Sequence, residues 1–152
     1  MGTDDEGELM IDDHEAIRGL KARYFRFMDT KDWARMRTLF TADSVLDMTG
    51  SPDGVVVGGD AFVSFLEAAL AGAVTAHHGH TPEIVVSGAS AEGIWAMQDY
   101  ILWPDGNRLI GFGHYHDTYA RADGRWRIAT SRLARLHVDV REPDGTVTVR
   151  ER

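Results

Sequence analysis

The chain has 152 residues with 43% hydrophobic content, enough for one substantial core and too few for two ordinary domains. Its net charge of −8 is concentrated in residues 1–13, which hold six acidic side chains and no Lys or Arg. The nearly neutral remainder excludes a basic nucleic-acid-binding face, and the lack of cysteine excludes disulfides, thiolate metal sites and a cysteine nucleophile.

Residues 1–11 are predicted to be a disordered acidic tail, and residues 12–152 to form a single domain. The start of the chain shows neither the basic nor the apolar region of a signal peptide. No apolar run approaches the roughly 18–20 residues of a membrane span. We therefore expect a cytoplasmic protein with neither a membrane nor a nucleic acid as partner.

Three helices are predicted in the first half of the chain. The first begins after Asp12 or Asp13, and its apolar residues recur at helical spacing: Ile17, Leu20, Tyr24, Phe27 and Met28. Asp32 can cap a short second helix, whose apolar face comprises Trp33, Met36, Leu39 and Phe40. Short strands at 44–48 and 55–57 precede a third helix at 60–71, which Gly72 ends.

The second half is predicted to consist of strands at 74–87, 91–103, 109–121 and 125–140, with a small terminal hairpin at 144–149. Turn sequences at 104–107 and 122–124 join consecutive strands. Helices followed by long antiparallel strands indicate an α+β fold, with the N-terminal helices packed on a curved, mixed but mostly antiparallel sheet. We expect such a sheet to form a cone-shaped barrel with a pocket at its open end.

Asp99 is the first candidate for chemistry. Strand alternation places it on one face with Trp95, Met97 and Ile101, where desolvation would raise the pKa of its carboxyl. A buried carboxylate needs a proton or a partner, so Asp99 is either a functional acid or one half of a structural ion pair. The last strand offers two arginines on opposite faces, Arg132 and Arg135, and either could neutralise Asp99 or bind an anionic group.

Five of the seven histidines lie in two clusters: His77, His78 and His80 in one, and His114 and His116 in the other. A neutral imidazole suits general-base work near pH 7. The i, i+2 pairs share a strand face, which is compatible with a metal site. The spacing alone is weak evidence, however, and ordinary exposed polar residues show it too, so no metal is predicted.

The first helix carries two further candidates, Tyr24 and Asp29. Tyr24 lies on the apolar stripe, so its hydroxyl needs a hydrogen-bond partner inside the protein. Asp29 lies near the helix C-terminus, where the helix dipole opposes a carboxylate. Capping of the next segment and a role in a site both explain Asp29.

The ordered set of motifs resembles a known family. It runs D-W-x-x-M at 32–36, L-F-x-x-D at 39–43, the histidine segment before P-E-I at 82–84, G-I-W-A-M-Q-D at 93–99, G-H-Y-H-D at 113–117 and G-R-W-R-I at 124–128. Together these motifs resemble the SnoaL-like branch of the nuclear transport factor 2-like superfamily, over about residues 13–140. The functional look-alikes there are scytalone dehydratase, bile-acid 7α-dehydratase and hexachlorocyclohexane dehydrochlorinase.

The resemblance implies a cone-shaped barrel, chemistry without a cofactor, and a homo-oligomer, either trimer or dimer. It implies a base, His78, oriented by Asp29, with Tyr24 assisting the leaving group and Asp99 as a further polar group in the pocket. The look-alikes carry an arginine about five residues after the tryptophan of the last strand, where this chain has Ser131 and then Arg132. A bulge could restore Arg132 to the site.

These features predict a small dehydratase-type lyase acting on an apolar cyclic substrate such as a steroid or polyketide. The expected substrate-binding residues are Trp33, Phe62, Leu66, Trp95, Met97, Phe112, His114 and Arg132. One alternative is a ketosteroid isomerase or polyketide cyclase, in which a carboxylate moves a proton and nothing leaves. Another is a small-molecule binding protein without catalysis, and a third is a metal site built from His78, His80, His114 and His116.

Overall fold

The computed structural model describes residues 12–48 and 54–151. The predicted tail and most of the turn at 50–54 lie outside these residues. The helices are α1 (Asp13–Asp29), α2 (Trp33–Met36), a single 3₁₀ turn (Arg37–Leu39) and α3 (Gly59–Ala69). The strands are β1 (Phe40–Asp47), β2 (Val55–Val57), β3 (Val74–Ser87), β4 (Ser90–Leu102), β5 (Arg108–Ala122), β6 (Arg125–Arg141) and β7 (Val147–Glu151).

The strands form one mixed sheet in the order β2-β1-β6-β5-β4-β3, with β7 paired to β6. β1 runs parallel to β6, and every other pair is antiparallel. The sheet is open, because β2 and β3 form its two edges. The predicted α+β class, with helices on a mixed and mostly antiparallel sheet, is confirmed, although the strands do not close into a complete barrel.

Helix α1 packs on the inner face of the sheet. Asp12 caps its start by accepting a hydrogen bond from the His14 N–H at 3.3 Å. The Tyr24 ring meets Tyr115 of β5 edge-on at 6.1 Å, and Phe40 at the start of β1 packs on Phe62 of α3 at 5.7 Å. Burial of this apolar face on the sheet stabilises the helix more than its intrinsic propensity does.

Boundaries near the second and third helices differ from the sequence prediction. Phe40, predicted to lie on the face of the second helix, begins β1 instead, because the helix ends at Met36 and a 3₁₀ turn leads into the strand. The third helix ends at Ala69, and Leu70 is its C-cap. None of the helices in the described ranges is long and apolar enough to cross a membrane.

Extra residues in the strands decide which side chains reach the inner face. The β3–β4 register shifts between His80 and Glu83, where Thr81 has a φ of +36° and Pro82 lacks an N–H for the ladder. The β5–β6 register shifts twice, once around Ala129 and once around Leu136. Each inserted residue exchanges the inward and outward positions along the rest of its strand.

Candidate active site

The end of α1 and the inner face of β3 bring Asp29 and His77 together. The Asp29 Oδ1 lies 2.6 Å from the His77 Nδ1, and the His77 backbone N–H donates to the Asp29 Oδ2 at 2.8 Å. The His77 side chain is 5% exposed and the Asp29 side chain 23%. A carboxylate at a helix C-terminus gains nothing from the dipole, so these donors on β3 explain how Asp29 is held there.

Burial raises the pKa of the Asp29 carboxyl, but the hydrogen bonds from His77 and Thr75 outweigh it and leave that pKa below its ordinary value. Asp29 is therefore ionised at neutral pH and accepts the proton on the His77 Nδ1. In the neutral form of this ring, the Nε2 then carries the lone pair.

The pairing of Asp29 with His78, expected from the resemblance, is corrected to a pairing with His77. His78 is exposed on the outer face of β3, where its ring stacks on His80 with centroids 6.1 Å apart. The bulge at Thr81 and Pro82 is the physical reason. Counting back by alternation from the inward Ile84 gives His78 as inward, but the extra residue reverses the phase and turns His77 inward.

Asp29 is also bound by a short chain of polar groups. The Thr75 hydroxyl, two residues before His77 on the same face of β3, donates to the Asp29 Oδ1 at 2.8 Å. The Lys31 Nζ donates in turn to the Thr75 Oγ1 at 2.8 Å and to the Met28 carbonyl at 3.3 Å. Sequence reasoning missed both residues, although Thr75 shares the alternation phase of His77.

Asp99 lies directly opposite His77, on β4. Its two carboxylate oxygens accept hydrogen bonds from the Arg135 Nη1 and Nη2 of β6, each at 2.7 Å. This pair crosses β5 above Gly111, where the Cβ of any other residue would overlap both Arg135 and Asp99. The predicted role of Asp99 as a proton donor does not fit a carboxylate whose oxygens are both taken by a guanidinium, and the ion-pair alternative is confirmed.

The bulge around Ala129 turns Arg135, and not Arg132, towards the inner face of the sheet. Trp126 and Ile128 point inward, and the inserted residue makes Ser131 and Leu133 the next inward positions, followed by Arg135. Arg132 is exposed on the outer face, so the expectation that a bulge would bring it to the site is wrong. Burial lowers the pKa of the Arg135 guanidinium, but its bonds to Asp99 outweigh this and raise that pKa overall.

Tyr24 lies deeper, fully buried, with its ring edge-on to that of Tyr115 at 6.1 Å. Burial is the main cause that raises the pKa of Tyr24, and the charges of Asp117 and Asp99 act in the same direction. Both phenols are therefore protonated at neutral pH. Burial is the main cause that raises the pKa of Tyr115, and the charge of Asp99 acts in the same direction.

A second ionic group, absent from the prediction, lies in the core next to Tyr24. The Lys21 Nζ bonds the Asp117 Oδ2 at 2.7 Å, and both side chains are 0% exposed. Asp117 also accepts from Tyr119 at 2.8 Å and from Ser131 at 2.6 Å, so its charge is well compensated. The Lys21 ammonium lies over the Tyr115 ring, 3.7 Å from its centroid. These contacts hold α1 to β5.

The predicted substrate-binding residues divide into three groups. Phe62, Leu66, Trp95 and Met97 are buried. Trp33 is partly buried beside Lys31, whose Nζ is 5.9 Å from its ring. Phe112, His114 and Arg132 lie on the outer face of the sheet, so the structure does not bring them to the Asp29–His77 pair, and their expected pocket role is wrong.

The alternative of a four-histidine metal site is not supported. His78 and His80 lie on β3, His114 and His116 lie on β5, and β4 separates these two strands. Ala96 of β4 faces both His80 and His114 across the ladders. Within residues 12–48 and 54–151, no three His, Asp or Glu side chains are arranged to hold a metal ion.

Two adjoining surface cavities, of about 550 and 900 Å³, lie away from these residues. Both are lined by Arg37, Phe40 and Arg127, and the larger one extends along the first half of α1 from Glu15 to Arg23. Asp29 is the last residue of that helix, about 9 Å along its axis beyond Arg23 and about 21 Å beyond Glu15. Neither cavity is lined by the residues around the Asp29–His77 pair.

Comparison with known proteins agrees with this architecture. The sequence profile of the SnoaL-like domain family matches residues 10–132. A protein of unknown function from Mycobacterium tuberculosis is 28% identical, with a TM-score of 0.71 over 80% of this chain and 70% of that one.

Two further solved structures share the fold at lower identity. A scytalone dehydratase candidate from Novosphingobium aromaticivorans is 23% identical, with a TM-score of 0.76 over 82% of this chain and 85% of that chain. A hexachlorocyclohexane dehydrochlorinase is 17% identical, with a TM-score of 0.73 over 90% and 88%.

Proposed function

This chain belongs to the SnoaL-like domain family, and from that premise we propose that it is a small lyase of dehydratase type acting on an apolar cyclic substrate. The proposed chemistry is proton transfer by the Asp29–His77 pair. The observation that carries this proposal is the 2.6 Å contact between the Asp29 Oδ1 and the His77 Nδ1. Carboxylate and imidazole together can move a proton without a cofactor.

His77 acts as the general base in this proposal. Asp29 accepts the Nδ1 proton, so the Nε2 lone pair faces the substrate carbon next to a carbonyl or hydroxyl group. When Nε2 takes the proton, the ionised Asp29 stabilises the imidazolium that forms. General-base catalysis of this kind contributes roughly 10²–10⁴-fold in rate.

Arg135 supplies the positive charge on the other side of the site. Two of its five N–H donors bind Asp99, and the guanidinium is 27% exposed, so further donors remain for a substrate oxygen. We assign Arg135 to the oxygen on which negative charge develops, and Asp99 to holding the guanidinium in place.

The scissile step distinguishes the lyase from the isomerase or cyclase alternative. In the lyase, His77 removes a proton from carbon and gives it to the departing hydroxyl group, which leaves as water. In the isomerase, the same proton returns to another carbon, and the mass of the substrate is conserved. The Asp29–His77 geometry serves both reactions, so a test has to detect proton removal first and product mass second.

The experiment is incubation of the purified protein with a panel of cyclic hydroxyketones and steroids in D₂O, followed by mass spectrometry. The proposal predicts deuterium uptake next to the carbonyl and a product one water lighter than its substrate. Deuterium uptake without loss of water would favour the isomerase. Asp29→Asn should reduce the uptake by at least about tenfold, because the tautomer of His77 is no longer fixed. If binding occurs without any exchange across the panel, the protein is a binding module.

A further inference from the structure

The turn after α1 carries a cation that the proposed reaction has not used. Lys31 has a φ of +59°, in the left-handed region that L residues rarely adopt. Its Nζ reaches back to the Met28 carbonyl at 3.3 Å and across to the Thr75 Oγ1 at 2.8 Å. Lys31 is one of only two lysines in the chain, and the other is buried in the core.

The contact with Lys31 fixes the direction of the Thr75 hydroxyl. An ammonium group has only donors, so Thr75 accepts from Lys31 and keeps a single proton to give. That proton goes to the Asp29 Oδ1, at 2.8 Å. The same oxygen binds the His77 Nδ1, so the chain from Lys31 ends on the carboxylate that orients the base.

We propose that Lys31 is a positioning residue, which acts through Thr75 to hold Asp29 ionised and aimed at His77. The inference rests on the proposed function of the Asp29–His77 pair. Neither Lys31 nor Thr75 needs to touch the substrate for this role. Both act by fixing the charge and orientation of Asp29.

The charged groups that face His77 determine the sign of the effect. Asp29 from α1 and Asp99 from β4 are anions that favour the imidazolium, and Arg135 from β6 neutralises Asp99. Lys31 is the cation on the Asp29 side. Burial lowers the pKa of the Lys31 ammonium, and the charge of Asp29 opposes that change. A cation there disfavours protonation of His77 and keeps Nε2 available as a base.

The test is NMR titration of the histidine side chains in the full chain, because it needs no substrate. The His77 signal is the one that is missing from the spectrum of His77→Gln. Lys31→Met should raise the pKa of His77 by about half a unit to one unit, as expected for loss of a partly screened charge. Thr75→Val should raise it as well, because the Asp29 Oδ1 is left to His77 alone.

Matched variants separate positioning from a general effect of charge. Lys31→Arg keeps a donor and a charge and should titrate close to wild type. Arg35→Met removes an exposed cation that pairs with Asp32 and should leave the pKa of His77 unchanged. Circular dichroism establishes that each variant is folded before its titration is interpreted.

If the pKa of His77 in both Lys31→Met and Thr75→Val equals that of the wild-type protein, the inference is overturned. That failure is distinct from a failure of the proposed function. If the variants shift the pKa of His77 while the substrate panel shows no exchange, the positioning role stands and the lyase proposal falls. If exchange depends on His77 while both variants titrate as wild type, the proposed function of His77 stands and the positioning role of Lys31 falls.

Discussion

Gly111→Ala tests the observation that the Asp99–Arg135 pair needs a strand residue without a side chain beneath it. The new Cβ would overlap the Arg135 Nη1 and the Asp99 Oδ1, so the two bonds at 2.7 Å cannot both persist. Arg135 can swing towards solvent, because it is already 27% exposed. Asp99 is 2% exposed and cannot, so its carboxylate is left buried without its partner.

The expected cost follows from these exposures. Removing the partner of a buried ion pair costs about 3–5 kcal/mol. Replacing glycine by alanine in a strand returns about 0.5–1 kcal/mol of backbone entropy and packing. We therefore expect Gly111→Ala to lower the free energy of unfolding by about 2–4 kcal/mol, a large share of the roughly 5–15 kcal/mol of an ordinary domain.

Equilibrium unfolding in urea measures this cost, provided that the slope against denaturant stays the same. The same substitution in an Asp99→Ala, Arg135→Met background provides the control, since no ion pair remains to be broken. There the additional cost of Gly111→Ala should fall below about 1 kcal/mol. An equal cost in both backgrounds would refute the reasoning, because the strain would then come from some other contact of Gly111.

Further predictions concern the core and the pH dependence. Lys21→Met leaves the buried Asp117 carboxylate without its ammonium and should cost about 3–5 kcal/mol in the free energy of urea unfolding. Tyr119→Phe removes a hydroxyl that accepts a hydrogen bond from the Trp95 Nε1 at 2.9 Å. It should therefore lower the free energy of unfolding by about 1–3 kcal/mol and shift the tryptophan fluorescence. An unchanged spectrum would contradict that contact. The folded pKa of Asp29 lies below its ordinary value of 3.8, so its contribution to stability is present above that pH and is lost as the pH falls through the folded pKa. Asp29→Asn should therefore flatten the stability curve below about pH 4, measured by thermal unfolding.

The positions of the helices and strands along the chain could be predicted because hydrophobic periodicity is a local signal. The bounds of β3 were predicted correctly, and those of β4 to β6 to within one or two residues, since their turns carry Pro, Asp and Gly at fixed positions. The parallel pairing of β1 with β6 is not local, and no turn sequence encodes it. Homo-oligomerisation stays a prediction.

The site was predicted only in part, because the resemblance gave the residue types but not the strand faces on which they lie. The structure brings Asp29 and Asp99 together beside His77, whereas His78 and Arg132, both expected in the site, lie on the outer face of the sheet. Simple alternation fails where a strand contains an extra residue, as β3 does at Pro82 and β6 does at Ala129. Pro82 was a usable signal, since a proline inside a strand indicates a bulge or an edge.

The comparison of His77→Gln with His78→Gln tests the central claim most directly. The two histidines are adjacent in sequence, and only His77 contacts Asp29, so the second variant is a matched control for the first. With a substrate from the panel that undergoes exchange, we predict that His77→Gln lowers the rate by about 10²–10⁴-fold and that His78→Gln leaves it unchanged. Loss of the rate in His78→Gln, with His77→Gln still active, would contradict the account.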